Sequence, residues 1–141
     1  MKKTAVLITI LLALSAALSC SSMMRSMMKK RMFTHYTSKY AFDETYAKVK
    51  KGITGSKHWA LMGEIDNADR YKKYGTLKNF KILQICAPDT AVKILKKDHL
   101  KFMGAMIPLK LCIYDTSDNK TRISVMNARM MGKMFKEEAI I

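Results

Sequence analysis

Three cysteines and thirteen methionines supply the sulfur chemistry of this 141-residue chain. Cys86 ends the apolar run FKILQIC and is followed by Ala-Pro at the predicted start of a helix. Free N–H groups and partial positive charge at a helix N-terminus stabilise a thiolate, which favours a reactive cysteine. However, Cys86 shares a largely apolar strand face with Phe80, Ile82 and Gln84, and burial there raises a thiol's pKa. We favour a packed, helix-capping cysteine, and thiol-dependent sulfur-carrier or redox chemistry at this candidate thiol remains an alternative.

A second sulfur cluster lies near the N-terminus, where Met23, Met24, Met27 and Met28 form an MMxxMM pattern. Thioethers are soft ligands that suit Cu(I), whereas methionine is more generally a flexible apolar filler. These four residues are therefore weak candidates for a metal site, and Cu(I) handling is a further alternative function. The methionines between residues 126 and 134 have helical spacing, which favours packing in the core.

Patterns for other chemistries are weak. The three histidines share no ligand spacing with one another or with the cysteines, so no zinc site is predicted. Glu64 and Asp66 would form a carboxylate pair only if a strand continues through both. Neither a nucleophile elbow nor a Gly-rich phosphate loop is present. Trp59 and the tyrosines could line an apolar ligand pocket, although any core of this size needs such residues. The favoured function is therefore non-catalytic binding of a small ligand or a partner, with no cofactor identified.

Residues 1–19 predict export as a signal peptide. Lys2 and Lys3 precede an apolar stretch, residues 5–14, that is too short for a stable membrane span, and small residues then lead to Cys20. The residues before Cys20 resemble a lipobox, which predicts lipidation of this cysteine. Ordinary cleavage that leaves a soluble protein is the alternative. The predicted location is the periplasmic side of the cell envelope, with the inner or outer membrane undecided.

Residues 20–32 form a predicted basic, Met-rich tether with four basic and no acidic residues. The whole chain has a formal net charge of +15, which favours anionic partners. For an exported protein the anionic partner expected is a membrane surface. Nucleic acid is not an expected partner, since no RNP motif, zinc finger or helix-turn-helix pattern is present.

Residues 33–141 form the predicted domain. Alternating and helical patterns predict strand, helix, strand, short helix, strand, helix, hairpin and helix, in that order. Alternate residues of the second strand, Trp59, Leu61, Gly63 and Ile65, are predicted to share one face. The element order predicts the α+β class, a mainly antiparallel sheet packed by helices.

Helix starts are marked by capping residues. Asp43 is the predicted N-cap of the first helix, Asp66 or Asn67 that of the short helix, and Asn127 that of the last. Pro88 fits the first turn of the helix after Cys86, where a missing N–H costs nothing.

Five segments follow one another along the domain: YAFDETYAKVKKGI, WALMGEIDNADRYKKYG, FKILQICAPDTAVKIL, AMIPLKLCIYD and ISVMNARMMGKMF. In order and spacing they resemble the bacterial domain of unknown function 302 family, in its exported branch. The resemblance implies a small TATA-binding-protein-like two-layer fold that self-associates as a homodimer. It carries over no catalytic residue. Members of that branch often have Cys directly after the Pro of the hairpin strand, whereas here Leu109 follows Pro108. A family-style pair with Cys86 therefore cannot form.

Overall fold

The computed structural model describes residues 31–135, without the side chain of Met134. Within this range there are five strands, β1 (Phe33–Thr37), β2 (Ala60–Asp66), β3 (Phe80–Cys86), β4 (Leu109–Asp115) and β5 (Thr121–Met126). The helices are α1 (Phe42–Thr54), α2 (Asn67–Arg70), α3 (Pro88–Leu95) and α4 (Ala128–Phe135), with a 3-10 helix at Asp98–Met106. None of these helices is long and apolar enough to cross a membrane.

The five strands form one antiparallel sheet in the order β1-β5-β4-β3-β2. Helix α1 packs against β2 and β4, so a helix layer covers one face of the sheet. This arrangement confirms the predicted α+β class with a mainly antiparallel sheet.

The main core lies between α1 and the sheet. Leu83 on β3 and Ile113 on β4 are completely buried there, together with Phe42 and Ile53 of α1. Phe80, Ile82, Gln84 and Cys86 do share one face of β3, as predicted, but the core lies on the opposite face. An apolar run shows that a strand is buried without showing which of its faces meets the helix layer.

The predicted alternation of the second strand is wrong after Leu61. Leu61 pairs with Ile85, whereas Gly63 pairs with Gln84, so a β-bulge moves Gly63 and Ile65 to the other face. One extra residue in a strand reverses the side-chain alternation beyond it. Consequently Glu64, and not Gly63, faces α1.

Two of the three predicted N-caps are confirmed. The Asp66 carboxylate accepts a hydrogen bond from the Asp69 amide at 3.2 Å, and the Asn127 side chain accepts one from Met130 at 3.2 Å. The Asp43 prediction is wrong, because the N-cap of α1 is Ala41, two residues earlier, and the helix begins at Phe42. Asp43 instead lies in the first turn, where its negative charge is favourable beside the helix N-terminus.

Candidate ligand-binding cavity

Three helices gather at the end of the sheet where β3 and β5 finish. We call α3, the 3-10 helix and α4 the helical cap. Its own small core contains Ile94, Leu100 and Met103, with Met131 and Phe135 packed against them. A cavity of about 340 Å³ lies between the helical cap and the end of the sheet. This volume falls within the range of small-molecule sites.

The pairing of β2, β3 and β4 brings together the residues that line the sheet side of the cavity. Leu109 at the start of β4 is opposite Ile85 of β3, and Ala60 at the start of β2 is opposite Cys86. Trp59 directly precedes Ala60, so it lies beside the end of β3 and lines the cavity with Ile85, Cys86 and Leu109. After Cys86 the polypeptide turns into α3. Pro88 lies in the first turn of this helix, where the proline ring is compatible with helix geometry.

The cavity lining is mainly apolar and contains no Lys, Arg, Asp or Glu among the described residues that form it. Groups able to form hydrogen bonds come from His58, Trp59 and Thr90. The rings of His58 and Trp59 meet edge to face, with centroids 5.4 Å apart. An apolar cavity with a few polar groups is the usual composition of a small-ligand site.

Sulfur is concentrated in the same lining. Cys86 contributes a thiol, and Met103, Met106 and Met131 contribute thioethers. The 3-10 helix supplies two of these methionines and α4 the third. As predicted, Met131 packs as part of a core, and it lies at the edge of the cavity as well.

Cys86 is buried, and this burial raises the pKa of its thiol. Ala87, not Cys86, is the N-cap of α3, and no side chain caps that helix. The expected helix-capping role of Cys86 is therefore wrong, because the cysteine lies one residue too early. Its environment favours a neutral, packed thiol at neutral pH.

Cys86 and Cys112 are both free thiols. Cys112 on β4 lies opposite Ile82, which is four positions before Cys86 on β3. At 3.3 Å per residue the two cysteines are separated by roughly 13 Å along the sheet. A disulfide needs Cα atoms within about 7 Å, so these cysteines cannot pair within one chain.

Strand β2 does extend through Glu64 and Asp66, but lysines accompany both carboxylates. Glu64 lies 2.6 Å from Lys50 and accepts a hydrogen bond from the Tyr46 hydroxyl. Asp66 lies 3.8 Å from Lys81. The hydrogen bonds from Lys50 and Tyr46 lower the pKa of Glu64, so this carboxylate is held in its charged form and does not have the raised pKa that a general acid at neutral pH needs.

The remaining candidates are dispersed or lie outside the described range. Cys20 and the Met23–Met28 cluster precede residue 31, so the structure places neither of them. Among residues 31–135, no group of three or more His, Cys, Asp or Glu side chains could hold a metal ion. Trp59 lines the cavity as the sequence suggested, whereas none of the tyrosines in the described range does.

Sequence reasoning missed the 3-10 helix, which contributes Met103 and Met106 to the cavity. A signal was available in the apolar spacing of Leu100, Met103 and Ile107. Intervals of three and four residues are typical of a helical turn that buries one side.

Comparisons with known proteins agree with this fold. The profile of the family described as "Domain of unknown function DUF302" matches residues 34–141. The fold is similar to the crystal structure of an uncharacterized conserved DUF302 protein from Bacillus stearothermophilus, with a TM-score of 0.64 and 17% sequence identity. That similarity covers 77% of this chain and 84% of the other. A search of curated proteins gave no match. Because the family profile matches well over half of its length, this chain belongs to the DUF302 family.

Proposed function

We propose that this protein is an exported, lipid-anchored envelope protein whose DUF302 domain binds a small, uncharged, apolar ligand without transforming it. The observation that supports ligand binding is the cavity of about 340 Å³ between the helical cap and the sheet. None of the described residues that form its lining is Lys, Arg, Asp or Glu, and burial of an unpaired charge against such a lining would be costly. The ligand is therefore neutral, with its orientation set by Trp59, His58 and Thr90.

Trp59 is the only tryptophan of the chain and lines the cavity, so its fluorescence reports on occupancy. The probe is N-phenyl-1-naphthylamine, a neutral apolar fluorophore, whose binding is followed by energy transfer from Trp59. Ala91→Phe fills the cavity from α3. Val92→Phe is the matched control, because Val92 lies on the same helix and is 51% exposed. We expect the Ala91 variant to lose probe binding and the control to retain it.

A folded Ala91→Phe variant that binds the probe as well as the wild type would contradict the proposal. Folding is checked by near-UV circular dichroism and thermal unfolding. Should Ala91→Phe not fold, Ala128→Phe reaches the same cavity from α4. Native mass spectrometry of the purified protein would then identify a co-purifying ligand.

Export and anchoring rest on the N-terminal residues. If Cys20 is lipidated, the protein enters the detergent phase, and Cys20→Ala releases it or stalls its processing. Several acyl chains combined with the four basic residues of the tether would attach the protein firmly to the membrane. Exported wild-type protein found wholly in the aqueous phase would exclude the anchor.

A second candidate function is Cu(I) binding, favoured by the sulfur groups of Cys86, Met103, Met106 and Met131 around one cavity. Thiolate and thioether ligands select Cu(I) over harder metals. Competition against a chromogenic Cu(I) chelator would detect such binding. Cys86→Ser should weaken it, whereas Leu at all four tether methionines should not. The reverse result would assign Cu(I) to the tether.

Thiol-dependent sulfur transfer has less support, because burial raises the pKa of Cys86 and so reduces its thiolate fraction. A persulfide on Cys86 in the native mass spectrum would favour sulfur transfer over both other candidates.

The family resemblance also leads us to propose a homodimer. Residues on the sheet face away from α1, including Ile82, Gln84, Cys112 and Ser124, are only half-buried in the single chain. Light scattering of the purified protein measures its mass directly, and a strictly monomeric protein at micromolar concentration would contradict this proposal.

A further inference from the structure

The loop between α2 and β3, residues 71–79, presents apolar side chains to solvent. Tyr71 and Leu77 are each 45% exposed, and Tyr74 is 77% exposed. Together with Gly75 and Thr76 they line a shallow groove. Single exposed apolar residues are common, but several gathered on one loop indicate an interaction surface.

Basic residues surround these side chains. Arg70, Lys72, Lys73 and Lys78 lie within the segment RYKKYGTLK, which contains no acidic residue. Among residues 31–135, no carboxylate forms an ion pair with Lys72 or Lys73. The ammonium of Lys73 instead lies 4.8 Å from the centroid of the Tyr74 ring. Positive charge on this loop is therefore available to an anionic partner.

The loop is fixed at both ends. At its start, the Tyr74 amide donates to the Tyr71 carbonyl at 2.8 Å, and the Gly75 amide donates to the same carbonyl at 3.2 Å. At its end, the Lys78 ammonium donates to the Asn119 side-chain oxygen at 2.6 Å. A loop already held by these contacts loses little conformational entropy when it binds a partner.

We propose that residues 70–78 dock the domain onto an anionic lipid bilayer. Tyrosine is enriched at membrane interfaces, because its ring is apolar and its hydroxyl stays hydrated. Tyr71, Tyr74 and Leu77 enter the headgroup region, while Lys72 and Lys73 meet anionic headgroups. The net charge of +15, which becomes +13 once Lys2 and Lys3 are removed with the predicted signal peptide, attracts the exported chain toward such a surface. This docking requires neither a ligand in the cavity nor a lipid on Cys20.

The test is sedimentation with vesicles and uses residues 20–141, the predicted exported form, with Cys20→Ser, so that neither a lipid nor the apolar signal peptide contributes to binding. One vesicle type is an equimolar mixture of phosphatidylcholine and phosphatidylglycerol, and the other is phosphatidylcholine alone. Lys72→Gln combined with Lys73→Gln should lower the partition coefficient on anionic vesicles by on the order of tenfold or more. Tyr74→Ser combined with Leu77→Ser should lower it on both vesicle types.

Two controls separate docking by this loop from general attraction. Lys51→Gln combined with Lys57→Gln removes the same charge from exposed positions elsewhere, and should change the partition coefficient by less than about threefold. Val92→Ser removes an apolar side chain that is 51% exposed, close to the 45% of Leu77, and should have no effect.

Equal losses in the loop variants and their controls would overturn the proposal, as would retention of vesicle binding by the loop variants. Loss of binding to an acidic protein or an oligonucleotide, with vesicle binding unchanged, would also overturn it. If Tyr74→Ser with Leu77→Ser lowers the melting temperature, the proposal is judged on the vesicle binding of the Lys72→Gln, Lys73→Gln variant alone, since surface charge changes rarely affect folding.

Discussion

The ammonium of Lys50 on α1 lies 2.6 Å from the carboxylate of Glu64 on β2, so this ion pair joins the helix layer to the sheet. The hydroxyl of Tyr46, one turn earlier on α1, donates a hydrogen bond to the same carboxylate. Because Lys50 and Tyr46 both donate to it, the pKa of Glu64 lies below its ordinary value of 4.5. The β2 bulge produces this contact, since it turns Glu64 toward α1.

A lowered pKa in the folded protein means that the Glu64 contribution is complete at neutral pH. It is lost as the pH falls below 4.5 and through the lowered value. Glu64→Gln should therefore cost on the order of 1 kcal/mol or less at pH 7, because both partners are partly exposed, and less still near pH 3. Urea unfolding at both pH values measures this. Glu44→Gln, which removes an exposed helix pair with Lys48, is the control. A cost independent of pH would show that the ion pair does not contribute.

The pKa values of the Cys86 and Cys112 thiols should both lie above that of free cysteine. Burial raises the pKa of Cys86 and of Cys112, where the nearby Lys110 partly opposes the rise. We expect slow iodoacetamide labelling of both in the folded protein at neutral pH, and full labelling after denaturation. Mass spectrometry of tryptic peptides assigns each site. Rapid labelling of Cys86, with an apparent pKa well below ~8.5, would restore the reactive-thiol hypothesis.

Cys86→Ser should destabilise the domain by on the order of 1–3 kcal/mol, because it places a hydroxyl at a buried position. Cys86→Ala separates this polar cost from the loss of packing. Both substitutions are measured by urea unfolding monitored through Trp59. If Cys86→Ser causes no loss of stability, water reaches this position.

Periodicity predicted the hairpin strand correctly. Leu109, Leu111 and Ile113 alternate with outward residues, and all three lie toward the core. In contrast, the bulge in β2 depends on contacts with a neighbouring strand. A Cβ at Gly63 would lie 3.0 Å from the Gln84 side-chain oxygen. Glycine inside a strand often marks such a close approach, so the sequence did contain a hint of the irregularity.

The cavity was only partly predictable for a related reason. Trp59 and Cys86 are conspicuous in the sequence, but their proximity depends on the pairing of β2 with β3. Met103 and Met106 approach from a separate segment that sequence reasoning left unassigned. Contacts between distant segments follow from the packing of elements, which local patterns do not specify.

The two faces of β3 provide a test of where the core lies. Leu83 is completely buried against the α1 layer, so Leu83→Ala should cost about 2–5 kcal/mol through lost burial and the cavity it leaves. Its neighbour Ile82 is half-buried on the opposite face, and Ile82→Ala should cost clearly less. Urea midpoints at unchanged m-value give the comparison. Equal costs would show that the second face is covered too, as in a dimer.

Methionines of the tether and methionines of the helical cap should differ in their effect on stability. Met23, Met24, Met27 and Met28 precede the predicted domain, so their joint replacement by Leu should move the melting temperature by about a degree or two at most. Met103 is only 1% exposed, so Met103→Ala should cost about 2–5 kcal/mol. For a domain of this size that cost lowers the melting temperature by about 8 °C or more. Differential scanning calorimetry checks both variants.

A large decrease in the melting temperature of the tether variant would show that the segment packs as part of the fold. Loss of Cu(I) binding at an unchanged melting temperature would instead locate copper on the tether.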